Sequence, residues 1–248
     1  MVLSDPIGDL VDVLIVSPHF DDAVLSAGGR IAALERSGLS TCVLTVFGGV
    51  PESRTPPSRW DVASGFASAA QAALMRRSED QAALEFLGST GLAFDAYDGP
   101  YRADWEQDAY SSFLLDAAST ARTIYIPAAI GKHPDHVLAR DATLHALSTT
   151  NSMLNIRVYA DLPYATVEGS MAGFSNSSFS ATEASTGRRM TLGDVDEVHL
   201  ADELWTVKRS AVVSYRSQIP ELVRAFGDFV MVDSLLRSER FWSLKLAS

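Results

Sequence analysis

Two short polar clusters hold most of the residues in this chain that could do chemistry. The first is Ser17-Pro18-His19-Phe20-Asp21-Asp22 and the second is Gly131-Lys132-His133-Pro134-Asp135-His136. Each places imidazole and carboxylate groups directly after an apolar run. Such groups are costly to bury without a partner, and a metal cation is a partner that removes the cost. His19, Asp22 and His136 form a two-histidine, one-carboxylate set. Three N and O ligands plus a water suit catalytic zinc at ~2.0–2.2 Å per ligand. The same set suits iron(II), so the metal stays open between the two. Adjacent aspartates on a regular backbone point different ways, so Asp21 is free to handle a proton while Asp22 binds. His133 and His136, three apart, share a helix face, and Asp135 is placed to orient an imidazole. Asp21 and His133 remain as candidate base and acid. Either cluster alone also fits a helix cap; the two together, each after a buried strand, point to a metal site.

The elements that must position these clusters are legible from periodicity. Asp12–Ser17, Thr41–Phe47, Arg122–Pro127 and Ile156–Ala160 are short β-branched, apolar runs that read as buried strands, with a shorter one at Leu92–Tyr97. Between them, Ala23–Glu35, Ser68–Leu87, Asp104–Ser119 and His136–Leu147 read as helices. Pro134 suits the first turn of the last of these, with His133 at or near its N-cap. Gly28 and Gly29 weaken the first helix and suggest close packing there. Alternating strands and helices predict an α/β, Rossmann-like doubly wound, mostly parallel sheet with helices on both faces. In such sheets ligands bind beyond the carboxyl ends of the strands, where both clusters fall.

Five further stretches carry weaker signals. Gly48–Trp60, with three prolines, reads as a loop. The Ser-, Thr- and Gly-rich stretch 165–193 reads as a lid or insertion beside the site, or as a surface loop. Later, Val195–Leu200 reads as a strand, Asp202–Tyr215 as a helix, and Phe226–Trp242 as a core helix or a subunit contact, core being preferred. His145 and His199 read as structural histidines and Cys42 as a small buried hydrophobe.

Composition narrows the class. A chain of 248 residues with 47% hydrophobic and 21% charged residues can bury a sizeable core, and one domain over 1–248 is expected. Twenty Lys and Arg against 31 Asp and Glu leave a net charge of -11. That field opposes nucleic acid and anionic membrane surfaces. The lone cysteine excludes an internal disulfide and a cysteine-based zinc cluster. No secretory leader or membrane span is visible, so a soluble, cytoplasmic protein is expected. No GxGxxG, GxxxxGK[ST] or GxSxG pattern occurs, which argues against a dinucleotide or nucleotide transferase and a serine hydrolase.

At His19-Phe20-Asp21-Asp22-Ala23 and His133-Pro134-Asp135-His136 the sequence resembles the PIG-L/LmbE family of zinc-dependent N-acetylglucosaminyl deacetylases. That family carries HPDD(E) after the first strand and HxxH after a later one. A weaker match runs from Lys208-Arg209-Ser210-Ala211 to Tyr215-Arg216-Ser217-Gln218. The resemblance implies zinc, or iron(II), on His19, Asp22 and His136. It implies Asp21 as the general base toward water. It also implies a protonated His133, held by Asp135, that stabilises the tetrahedral intermediate or protonates the leaving amine. The implied reaction removes an N-acetyl or other N-acyl group from a sugar-containing small molecule, such as a glycosylated natural product or its precursor. Oligomers are common in the family, so a homo-oligomer stays open. Phe20 stands in place of the usual Pro and Ala23 in place of a frequent Glu. The oxyanion-donating Tyr that some members place before HxxH is missing, which leaves Lys132 or Tyr164 as the source. Two other readings compete: an amidase for a thiol conjugate or non-sugar amide, and a non-catalytic metal-binding protein of the same fold. The presence of both Asp21 and His133 argues against the second.

Overall fold

All five residues of Val13–Ser17 (β1) are buried, and they split cleanly by parity. Leu14 and Val16 face one core, while Val13 and Ile15 face another. A strand covered on both faces needs apolar residues at every position, which is why the run is continuous. The computed structural model describes residues 10–150, 154–166, 179, 181–182, 189–229 and 232–246.

After β1 the chain forms α1 (Asp22–Arg36), β2 (Thr41–Thr45), α2 (Arg59–Ala63), α3 (Ala69–Leu87) and β3 (Thr90–Ala93). It continues through α4 (Gln107–Ala117), β4 (Thr123–Pro127), α5 (Pro134–Ser148) and β5 (Asn155–Tyr159). The last elements are β6 (Ala181–Thr182), β7 (Arg189–His199), α6 (Asp202–Val212), α7 (Ile219–Phe226), α8 (Asp233–Leu236) and β8 (Ser238–Leu246). Local chemistry explains several boundaries. Ser68 Oγ accepts the Gln71 amide at 3.2 Å to start α3, and Gly88, at φ +79°, closes it. His133 caps α5 and Pro134 opens it, where a missing N–H is harmless.

The eight strands among the described residues form one sheet in the order β3-β2-β1-β4-β5-β8-β7-β6. The first five are parallel, and β8, β7 and β6 join antiparallel. The α/β doubly wound reading is therefore right for the body of the sheet. The order reverses at β1, which pairs with β2 on one side and β4 on the other. Neighbouring loops leave in opposite directions there and open a crevice at the strands' carboxyl ends. The two polar clusters follow β1 and β4, so topology brings them together across more than a hundred residues of sequence. Helices α1, α3 and α6 pack together on one side, and α4 and α5 pair on the other.

Some expectations change. Residues 48–60 are not all loop: Ser58 and Asp61 form a reciprocal capping box that starts α2. Phe226–Trp242 is not a core helix. Gly227, at φ +77°, ends α7, and the chain goes on to β8, which pairs with both β5 and β7. The late strand begins earlier than expected, at Arg189. Most of the suggested lid at 165–193 lies outside the described residues.

The glycines of α1 do mark a close approach. A Cβ on Gly29 would fall 2.3 Å from Leu200 Cδ2, and one on Gly28 would meet Lys208 Cγ at 3.1 Å. Lys208 is wholly buried and its Nζ donates to Glu239 Oε1 at 2.8 Å. The Glu239 carboxylate also accepts the amides of Gly29 (2.7 Å) and Arg30 (2.9 Å), so α1, α6 and β8 meet on one ion pair. Burial lowers the pKa of Lys208, and the Glu239 charge opposes that shift. Removing one partner of a buried pair leaves an uncompensated charge. Lys208→Met is expected to destabilise the fold by about 3–5 kcal/mol in urea unfolding; a loss of only a few tenths would show that the pair contributes little.

Candidate functional site

The turn after β1 is wound by its own polar groups. Ser17 Oγ donates to the His19 carbonyl at 2.5 Å and accepts the Ala23 amide at 2.9 Å. The His19 amide donates to Asp22 Oδ2 at 2.8 Å. His19 is thereby folded back on Asp22, whose carboxylate sits in the first turn of α1, where the helix dipole favours negative charge. Asp21 occupies the N-cap without making a side-chain cap bond. The turn after β4 is tighter. Ala129 and Lys132 hold φ of +60° and +58°, a region that costs a non-glycine residue ~1–2 kcal/mol. Ile130, between them, donates its amide to Asp161 Oδ2 at 3.1 Å, which helps pin the turn.

These turns bring His19, Asp22 and His136 together. Asp22 Oδ2 lies 3.0 Å from His19 Nδ1 and 3.2 Å from His136 Nε2. Candidate ligand atoms of the three lie within 4.8 Å of one another, as do those of His19, His133 and Asp135. His136 is fully buried, and its Nδ1 meets Asp161 Oδ1 at 2.7 Å. Its Nε2 is buried without a hydrogen-bond partner, because the approach to Asp22 is poorly aligned for one. Burial alone would lower the pKa of His136, but Asp22 and Asp161 outweigh it and push the value up to about 9. The site therefore calls for positive charge where Nε2 faces Asp22. A metal cation meets that demand with the lone pair that Nε2 keeps when Asp161 accepts Nδ1–H. For Asp22 burial is again outweighed: His136 and His19 hold its carboxyl far below the usual range. The donor set fits a divalent metal.

Around this set the structure places the other expected residues, with two differences. Asp21 lines the cavity, and burial, reinforced by the Asp22 charge, pushes its pKa up to about 6. Asp135 does not hold His133 through its carboxylate. That group takes His19 Nε2 at 3.1 Å, the Gly99 amide at 3.0 Å and Arg102 at 2.5 Å. His133 Nδ1 instead accepts the Asp135 amide at 3.3 Å, the geometry of a cap. Burial lowers the pKa of His133, and the charges of His19 and His136 lower it further. Of the two proposed oxyanion donors, Tyr164 lies in the cavity, its ring 5.0 Å from that of His136 and 5.9 Å from that of His133. Lys132 is exposed and does not line it. His145 and His199 are both exposed, away from the site.

Sequence reading missed Asp161, Asp98, Arg76 and Arg102. Asp161 was detectable: it stands two residues beyond β5, at the same carboxyl edge as the two clusters. Asp98, 3.5 Å from His19 Nε2, and Arg102 come from the segment after β3, and no spacing rule marks them. The cavity has a volume of about 620 Å³. Trp60, Tyr101, Tyr164 and Phe226 form much of its apolar wall above the polar floor.

The family model described as PIG-L, GlcNAc-PI de-N-acetylase, matches residues 14–147, which includes both clusters. The chain belongs to the PIG-L family. A relative of this PIG-L chain is the 2'-N-acetylparomamine deacetylase of Streptomyces fradiae, 31% identical over 170 residues. The match covers 61% of this chain and 57% of that protein, so the chain spans under two thirds of the relative's length. Two solved structures cover nearly the whole chain. A triple mutant of a deacetylase in the teicoplanin biosynthetic pathway has a TM-score of 0.79 at 28% identity, covering 96% of this chain and 99% of that one. The deacetylase of the antimicrobial reagent A40926 pseudoaglycone has a TM-score of 0.77 at 27% identity, covering 97% and 99%. Among the described residues no helix is long and apolar enough to cross a membrane.

Two outcomes test the candidate metal centre. Elemental analysis of His136→Ala is expected to find the bound metal gone; full occupancy would remove His136 from the donor set. Asp161→Asn is expected to weaken metal affinity about 10–100-fold in chelator competition, and unchanged affinity would mean that Asp161 does not orient the imidazole.

Proposed function

We propose that this chain is a metal-dependent N-deacetylase that hydrolyses the acetamide of an amino-sugar-bearing small molecule. The convergence of His19, Asp22 and the buried His136 beside a cavity that His19, Asp22 and Asp21 line carries the reading. The names of the relatives support it: a 2'-N-acetylparomamine deacetylase, a deacetylase of the teicoplanin biosynthetic pathway and the deacetylase of the A40926 pseudoaglycone. His19, Asp22 and His136 would hold the cation, with zinc the first candidate and iron(II) the second. When bound, the cation supplies Lewis acidity toward the amide carbonyl and makes water more acidic.

The chain's own residues supply the proton chemistry. Asp21, raised by burial yet still largely ionised at neutral pH, is a stronger base than an exposed aspartate. It accepts the proton as water attacks the acetamide carbon. With Nδ1 accepting the Asp135 amide, His133 keeps its hydrogen on Nε2 and offers a neutral N–H to the developing oxyanion. Tyr164, with its hydroxyl pKa raised by burial and then by the Asp22 charge, stays protonated as a second donor. As the C–N bond breaks, the proton held by Asp21 passes to the departing nitrogen, and acetate and a free amine leave. Arg102 and Gly99 keep Asp135 ionised and fixed against His19, so the carboxylate network is set before substrate arrives.

Asp21→Asn is expected to retain its metal and lose about 10²–10⁴-fold in kcat, measured as acetate released from N-acetylated amino-sugar glycosides. A near-normal rate would remove Asp21 as the base. Thiol conjugates in the same panel separate the competing amidase: hydrolysis of these alone would replace the amino-sugar substrate.

A further inference from the structure

Tyr215 and Asp80 form a buried pair against the turn that carries His19, Asp21 and Asp22, and no step of the proposed reaction uses either. Tyr215 is 1% exposed and Asp80, in α3, is 6% exposed. Tyr215 Oη stands 2.9 Å from the Phe20 carbonyl oxygen and 2.6 Å from Asp80 Oδ1. Phe20 sits between His19 and Asp21, so its carbonyl is part of the turn itself.

Counting protons decides what these contacts are. The phenol has one hydrogen. A backbone carbonyl can only accept, and an ionised carboxylate can only accept. With Asp80 ionised, two acceptors would compete for one hydrogen, and one contact would set lone pair against lone pair. With Asp80 protonated, both contacts have a donor. We infer that Asp80 is a buried carboxylic acid that donates to Tyr215, while Tyr215 donates to the Phe20 carbonyl, and that this relay positions the turn bearing the base and two metal-site residues. The two act as positioning residues, because neither touches substrate or metal.

Surroundings agree with the count. Burial pushes Asp80 up to about 7; the bond with Tyr215 opposes that rise and the charge of Asp21 adds to it. Among the described residues no cation contributes to holding Asp80 ionised. A neutral Asp80 also spares Asp21 a second nearby negative charge besides Asp22. The preceding residue anchors the same segment: Glu79 accepts the Ser217 amide at 2.8 Å and the Ser217 hydroxyl at 2.6 Å. Gln218 in turn accepts Trp60 Nε1 at 3.1 Å. Helix α3 thus grips the Tyr215–Gln218 turn with two adjacent acids, Glu79 accepting from a hydroxyl and an amide and Asp80 bonded to a phenol. This accounts for the Tyr215-Arg216-Ser217-Gln218 stretch, which the reaction itself leaves without a task.

The kinetic consequence rests on the deacetylase reading; the protonation state does not. The first test is difference infrared spectroscopy of the purified protein against Asp80→Asn at mildly acidic pH. A carbonyl-stretch band of a protonated carboxylic acid, present only in the wild type, is expected. A carboxylate band in its place overturns the inference whether or not any substrate is turned over. The second test is kinetic. Tyr215→Phe is expected to lose about tenfold in kcat, the worth of one buried hydrogen bond, with KM little changed. Asp80→Leu should lose a similar factor, and Asp80→Asn, whose amide can donate as the acid does, should recover most of it. Wild-type kcat in Tyr215→Phe, or Asp80→Asn as impaired as Asp80→Leu, overturns the positioning role.

Discussion

Everything in the cavity is arranged around one buried negative charge. Asp22 Oδ2 has two imidazoles at 3.0 and 3.2 Å and a backbone amide at 2.8 Å, and its residue is only 4% exposed. An anion at that depth is tolerated only with compensating positive charge close by. The protein supplies part of that compensation through the N-terminus of α1 and part through His19 and His136. What those groups leave short is a partner for His136 Nε2, which faces Asp22 and is buried without a hydrogen bond. That shortfall is the physical reason for reading the site as a metal centre and not as a satisfied polar core.

The same logic runs outward. Each imidazole that faces Asp22 is backed by another acid: His136 by Asp161, and His19 by Asp135 and Asp98. Asp135 is in turn held by Arg102, and Arg76 spans Asp61 and Asp98. Charges alternate through these layers, so each group fixes the protonation and the orientation of its neighbour. Among the imidazoles at the cavity His133 stands outside this alternation: it caps a helix with one nitrogen, and burial, then the charges around His19 and His136, lower its pKa. Its difference from His136, three residues along the same helix, is one of environment alone. A ring with two acids in reach is driven to carry charge, and a ring among cations is driven to shed it.

The scaffold makes this precision affordable at the switch point of the sheet. Strands β1 and β4 are adjacent and parallel, so their carboxyl ends lie together, and both turns leave from strand ends that are buried. The left-handed residues Ala129 and Lys132 are strained, and an amide bond to Asp161 and the capped start of α5 hold them in place. On the opposite side, α3 and the Tyr215–Gln218 turn brace the first loop from below. The site is stiff because three separate elements over-determine it.

How much of this was written in the sequence differs by residue. His19, Asp22 and His136 could be picked out as a candidate set because each cluster follows an apolar run, and the structure brings their ligand atoms together. The parallel body of the sheet was legible for a similar reason: strands buried on both faces show no alternation, and the intervening helices set their direction. The antiparallel β8 was misread, since a run such as Ser238–Leu246 has the same hydrophobic content whether it is a strand or a helix, and pairing with β5 and β7 decides between them. Asp135 was seen but given the wrong partner, because spacing places it on a helix without saying which loop approaches it. Asp98, Arg76 and Arg102 lie far from both clusters in sequence and carry no local pattern. By itself, then, the sequence determined which residues could bind a metal and that strands and helices alternate, since both follow from side-chain chemistry and local periodicity. Only the tertiary structure decided the protonation states, the partner of each acid and the shape of the cavity, because those depend on distances between segments that local forces do not set.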